Sequence, residues 1–239
     1  LSPSIWREFL TYSVIGFSGD PKALENRAME LTSHIETVSR TKLKLAYHVV
    51  SGLTDQIETF FPHENRLCFI IAGDIVYNMA HIVPRPERST GKLVKGSDID
   101  LVVIVDDQTP DHLMKRLDDA IYREKYRLLI SPHVREEVDY IVKKVVRIKE
   151  QIRFETFKHR VACKILHEGT LLHGSEALFR EVKAMLHQTG VPDKLNELEK
   201  QAKIFRRNAE TYLLHAAPEK AKDERLFLFY PSEESEEFE

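Results

Sequence analysis

Asp98-Ile99-Asp100-Leu101-Val102-Val103-Ile104-Val105 is the stretch that decides the fold. From Leu101 the run is unbroken and apolar, and four of its five residues are β-branched. It is too short for a core helix and reads as a strand buried on both faces. Asp106, Asp107 and Pro110 end it. At its head, Asp98 and Asp100 alternate with Ile99, so both carboxylates point to one face. Two such charges ~4 Å apart, at an effective dielectric near 20, repel by about 4 kcal/mol. A divalent cation offsets that cost, and an all-oxygen donor set suits Mg2+ or Mn2+.

Working outward, Leu67-Cys68-Phe69-Ile70-Ile71-Ala72 is a second short apolar run, ended by Gly73. A short helix is expected over 74–82, followed by a Pro- and Arg-rich loop from Pro84 to Lys95. On the C-terminal side a helix is expected at about 110–125. Residues 136–142 (Glu-Glu-Val-Asp-Tyr-Ile-Val) read as a further strand carrying Asp139. If that strand neighbours the first, three carboxylates converge. Three acids can hold two metals, the arrangement that supports in-line displacement at phosphorus. Gly73 and Gly96-Ser97 are small enough for backbone N–H groups to approach phosphate oxygens. Taken alone, Asp-x-Asp is more often a solvated strand end.

The flanks read as helical. Apolar residues recur at three- and four-residue steps from Pro21 to about Arg40, and again over 41–59. Trp6, Phe9 and Tyr12 are candidate anchors, and Pro62 is the expected stop. Beyond about 148, helices are expected near 151–167, 175–187 and 193–216. Residues 231–239 hold five Glu and no Lys or Arg, so the tail reads as disordered. The expected organisation is an N-terminal helical segment (1–60), a core (61–175), C-terminal helices (176–218) and the acidic tail (219–239). The fold class is α+β, a mixed sheet flanked by helices with a mainly helical C-terminal part.

Composition bounds the partners. The 239 residues carry a net charge of −3, which gives no strong field for long nucleic acid. Lys143, Lys144, Arg147, Lys149, Arg153, Lys158 and Arg160 form a basic run that is either a solvated helix face or a local nucleic-acid groove. Cys68 and Cys163 show no disulfide or zinc spacing and suit a cytoplasmic setting. No stretch approaches the ~18 apolar residues of a membrane span, and Leu1-Ser2-Pro3 does not read as a signal peptide.

The order Ile71-Ala72-Gly73-Asp74, a short helix, then Gly96-Ser97-Asp98-Ile99-Asp100-Leu101 resembles the DNA polymerase β-like nucleotidyltransferase superfamily. Within it, the likeness is to the minimal nucleotidyltransferases. It covers about residues 65–175. Asp139 takes the place of the third acid, and 165–174 is similar to the family's helix leading to a short final strand. The resemblance implies Asp98, Asp100 and Asp139 as catalytic metal ligands, with a nucleoside triphosphate as substrate. It implies Gly73, Asp74, Gly96 and Ser97 near the nucleotide. Arg88 and Lys95 in the basic loop, with Arg85 and Lys92, would clamp phosphate.

This chain departs from the family in having Asp74 where Ser or Gly is usual, and in a longer gap from Gly73 to Asp98. The acceptor stays open: an RNA end, a protein hydroxyl or a small molecule. So does assembly with itself or with a protein partner. The competing reading is a nucleotidyltransferase-fold binding or regulatory module, for example one half of a toxin–antitoxin pair. A helical nucleic-acid-binding protein with incidental acids is the third. Arg160 and His167 are faintly similar to the Arg-x(4–6)-His signature of HEPN ribonucleases, but Val161 stands where a polar residue is usual.

Overall fold

The computed structural model describes residues 9, 11–17, 19–61, 66–87 and 89–215. Trp6, Pro62, Arg88 and the acidic tail lie outside the described residues.

The protein is α+β. Its elements run α1 (Pro21–Ile57), β1 (Leu67–Ala72), β2 (Pro84–Pro86), β3 (Leu93–Lys95), β4 (Ile99–Val105), α2 (Asp111–Ile130), β5 (Val138–Lys144), α3 (Val145–Gln151), α4 (Phe157–Glu168), β6 (Thr170–Gly174), α5 (Glu176–Gln188) and α6 (Val191–His215). The main sheet has the order β5-β4-β1-β6. β4 and β5 are parallel, whereas β1 is antiparallel to both β4 and β6. The deciding stretch is therefore central, with Val103, Ile104 and Val105 fully buried. Burial of each such side chain favours folding by roughly 1.5–3 kcal/mol.

Alternation along the strands builds two cores. Phe69, Ile71, Ile99, Leu101, Val103 and Val138 meet α1 and α2. Cys68, Ile70, Val102 and Ile104 meet α3 to α6 on the other face. No helix among the described residues is long and apolar enough to cross a membrane.

Several sequence expectations need correction. The two helices expected over 21–40 and 41–59 are one helix of 37 residues, about 55 Å long at 1.5 Å per residue. No breaker stands at 40–41. The buried stripe Val38, Lys42, Ala46, Val50, Leu53 and Ile57 continues through it, its unity masked by a charged residue. Asp20 starts the helix by accepting a hydrogen bond from the Ala23 amide at 3.0 Å, with Pro21 in the first turn.

The helix expected over 74–82 is only a 3-10 turn, Gly73–Ile75. Asn78 adopts φ 55° and the Met79 amide donates to the Asp74 carbonyl at 2.8 Å, which closes the chain after one turn. The loop from Pro84 to Lys95 contains the β2–β3 ribbon. Its tip is organised by Glu87, whose carboxylate accepts from the amides and hydroxyls of Ser89 and Thr90. Those donors hold the Glu87 carboxyl down at about 2.

The strand expected at 136–142 begins two residues later, at Val138: a turn at 132–134 and Arg135 (φ 50°) precede it, and Glu136 and Glu137 lead into it as irregular chain. The helix expected near 151–167 starts only at Phe157 (α4), and a separate short helix, α3, precedes it at Val145–Gln151. Phe154 takes φ 64° between them, and Thr156 caps α4 through the His159 amide.

Candidate metal centre

Three carboxylates meet at the end of the sheet where β4 and β5 begin. Asp100 and Asp139 are paired in register across the parallel strands, and Asp98 lies two residues before Asp100 on the same face. One oxygen from each of Asp98, Asp100 and Asp139 lies within 4.8 Å of the others. The sequence expectation that these acids converge is thus met by the fold. Asp98 and Asp100 are half-buried, while Asp139 on the edge strand is exposed.

Burial pushes the Asp100 carboxyl up to about 7, with repulsion from Asp98, Asp139 and Asp74 adding to it. Asp98 is raised for the same first reason, against the pull of the Arg85 guanidinium. Acids left this uncomfortable in water-poor surroundings are the environment a divalent cation relieves. The donor set is all carboxylate, which fits Mg2+ or Mn2+ and not a soft-ligand metal.

Gly73 makes room for the group. It has φ +69°, and a Cβ there would sit 2.0 Å from an oxygen of Asp100. The residue directly after β1 therefore leaves the space that Asp100 occupies.

The expected phosphate-facing residues fare differently. Asp74 does not project as a free anion: its carboxylate accepts the Ser97 hydroxyl at 2.6 Å. Ser97 is buried, its amide donates to the His81 carbonyl at 3.0 Å, and its hydroxyl also accepts from the His81 amide. The Gly96 amide donates to the Val94 carbonyl, and a Cβ on Gly96 (φ +63°) would strike the His81 carbonyl. Asp74, Gly96 and Ser97 thus form an internally bonded rim beside the acids. Lys95 sends its ammonium to the His133 carbonyl at 2.8 Å, and Lys92 is exposed.

Two residues next to the acids, Lys125 and Glu137, escaped the sequence reading of the site, and a third, Arg85, has a different role from the one expected. Lys125 of α2 holds Asp139 at 3.0 Å. Arg85, expected in a mobile phosphate clamp, instead pairs with Asp98 at 3.3 Å and Glu137 at 2.8 Å. Glu137 is buried and raised by desolvation. A usable signal was present: Glu137 stands two residues before Asp139 and so shares its face of an extended chain.

Four of the seven cations of the basic run 143–160 have side-chain partners, while Arg153 and Lys158 are exposed. Lys144 pairs with Asp111, Arg147 with Glu150 and Lys149 with Asp107, and Lys143 is buried on Gln151. Arg160 and His167 both lie on α4, where burial lowers His167. A hollow of about 660 Å³ lined by Tyr47, His48 and Leu171 lies beside β6, two strands from the acids, and shares no residue with them. No family model, curated protein or solved structure matches the chain.

Proposed function

We propose that the protein is a metal-dependent nucleotidyltransferase that moves a nucleoside monophosphate from a nucleoside triphosphate to an acceptor hydroxyl. The observation that carries the reading is the convergence of Asp98, Asp100 and Asp139 at the mouth of a parallel strand pair, with Asp100 raised to about 7. The resemblance of residues 65–175 to the minimal nucleotidyltransferases supports it.

The three acids would hold Mg2+ or Mn2+, which neutralises charge on the triphosphate and leaving pyrophosphate when bound. Asp139 is the exposed member of the three and so the one most open to an incoming acceptor. It takes the acceptor proton as general base, or ligates beside the acceptor hydroxyl. The new bond joins the acceptor oxygen to the α-phosphorus as the bond to pyrophosphate breaks. Asp74 and Ser97 keep the Gly96 turn in place next to Asp98. The net charge of −3 and the internal pairing of four cations of the basic run favour a compact acceptor, such as a protein hydroxyl, a short RNA end or a small molecule, over a long nucleic acid.

A second reading, a nucleotide-binding or regulatory module without turnover, is favoured by Asp74 and by the internal use of the Gly96 and Ser97 amides. The discriminating experiment incubates the protein with each α-labelled nucleoside triphosphate, Mg2+ and crude tRNA or cell extract. Label transferred to an acceptor by the wild type and lost in Asp100→Asn supports the transferase. Nucleotide retained without transfer, and indifferent to Mg2+, supports the module.

A further inference from the structure

Arg85 lies on the β2–β3 ribbon, outside the acid strands, yet its guanidinium is spent on three groups that set them. Its Nε donates to the Gly96 carbonyl at 2.7 Å. Its Nη1 lies 2.8 Å from Glu137 Oε2, and its Nη2 3.3 Å from Asp98 Oδ2. Gly96 and Asp98 lead into β4, and Glu137 leads into β5, so one guanidinium spans the entries of both strands, through a single hydrogen bond to Gly96 and ion pairs with Glu137 and Asp98. The side chain is only 17% exposed, and Glu137 only 8%. A phosphate clamp would point its donors outward, and Arg85 does the opposite.

The backbone agrees with that role. Next to the guanidinium, the Ile99 amide donates to the Glu137 carbonyl at 2.9 Å. The Nε–Gly96 bond fixes the guanidinium plane and so places its delocalised charge between Glu137 and Asp98, which a lysine ammonium, a point charge on a flexible stem, cannot do. Lys125 offers the contrast. Among the described residues its ion pair is with Asp139, whose carboxylate is 53% exposed, and it acts as a simple counter-charge.

We infer that Arg85 is a positioning residue that holds Asp98 in register with Asp100 and Asp139 for cation binding. The inference rests on the metal-site reading above. It makes a prediction opposite to simple electrostatics, under which removing a cation beside a metal site tightens metal binding. Loss of the guanidinium instead lets Asp98 swing away from its partners, and binding weakens.

The test is calorimetric titration of Mn2+ into the full chain for wild type, Arg85→Met, Arg85→Lys and Lys125→Met, with thermal melts in EDTA to confirm folding. Lys125→Met is expected to bind Mn2+ more tightly than wild type, through charge alone. Arg85→Met and Arg85→Lys are expected to bind about tenfold more weakly, as when a group orienting a ligand is lost. Should Arg85→Met not fold, Arg85→Lys decides alone, since it keeps the charge and loses only the guanidinium plane. An Arg85 variant that binds Mn2+ as tightly as wild type overturns the positioning role and leaves the metal site standing. A folded wild type that binds no Mn2+ overturns the metal site, and this inference with it.

Discussion

Asp100 bears the greatest strain among the three acids, since Arg85 answers Asp98 and Lys125 answers Asp139. In a metal-free protein its carboxyl is raised to about 7 from an unfolded value near 3.9. The folded state therefore holds an extra proton between roughly pH 4 and pH 7. The stabilisation associated with that proton is complete below pH 4 and is lost as pH rises through 7. Urea denaturation in EDTA should show stability falling across that window by up to about 1.4 kcal/mol per pH unit. Asp100→Asn should flatten the slope, raise stability at pH 8 by on the order of 2 kcal/mol after solvent screening, and abolish metal-dependent transfer. A variant that keeps full transfer would remove Asp100 from the mechanism.

Gly73 supplies a second test at the same scale. Gly73→Ala places a methyl where Asp100 now stands and puts a Cβ on a left-handed backbone. The backbone term alone costs about 1–2 kcal/mol. The expected outcome is that loss in a denaturation curve together with weakened Mn2+ binding. Unchanged Mn2+ affinity would show that Asp100 has freedom to move aside.

Among the elements, α1 is tied to the site by one buried pair. Lys42 donates to Glu136 and, at 2.8 Å, to the Lys95 carbonyl. Burial lowers Lys42 and raises Glu136 against their mutual attraction. Lys42→Met leaves Glu136 buried without a partner and should cost about 3–5 kcal/mol. Lys42→Met combined with Glu136→Leu should recover most of it. Chemical denaturation of the two variants checks this, and equal losses in both would contradict it.

The same pair shows why legibility differed between elements. β4 and β1 were plain in the sequence because both their faces are buried and their composition shows it. α1 looked like two helices because Ser39 and Lys42 occupy core positions through bonds to groups remote in sequence, Ala80 and Glu136. The β2–β3 ribbon was hidden by Pro84 and Pro86, which read as loop although proline is tolerated in a sheet with no central strand. Asp98, Asp100 and Asp139 were legible because strand alternation is local. Lys125 was not, and Arg85 was legible as a loop cation but not as a partner of Asp98 and Glu137, since only tertiary packing brings β2 and α2 to the acids.

At the scale of the molecule, two helical layers enclose the sheet and leave the entries of β4 and β5 at its rim. A cation bound there binds only the folded chain, because the acids meet only in it. Linkage then raises stability by about 2.7 kcal/mol at a hundredfold excess over the dissociation constant. Protons compete for Asp100, so the thermal shift produced by Mg2+ should grow as pH rises from 5 to 8. Differential scanning fluorimetry across that range reads it directly, and a shift that shrinks with pH would count against carboxylate ligation.

The central claim is that Asp98, Asp100 and Asp139 share a divalent cation, and anomalous diffraction from a crystal soaked in Mn2+ tests it most directly. An anomalous peak within bonding distance of all three carboxylates is expected. Well-ordered acids with no peak between them, or a peak held by other residues alone, would contradict it.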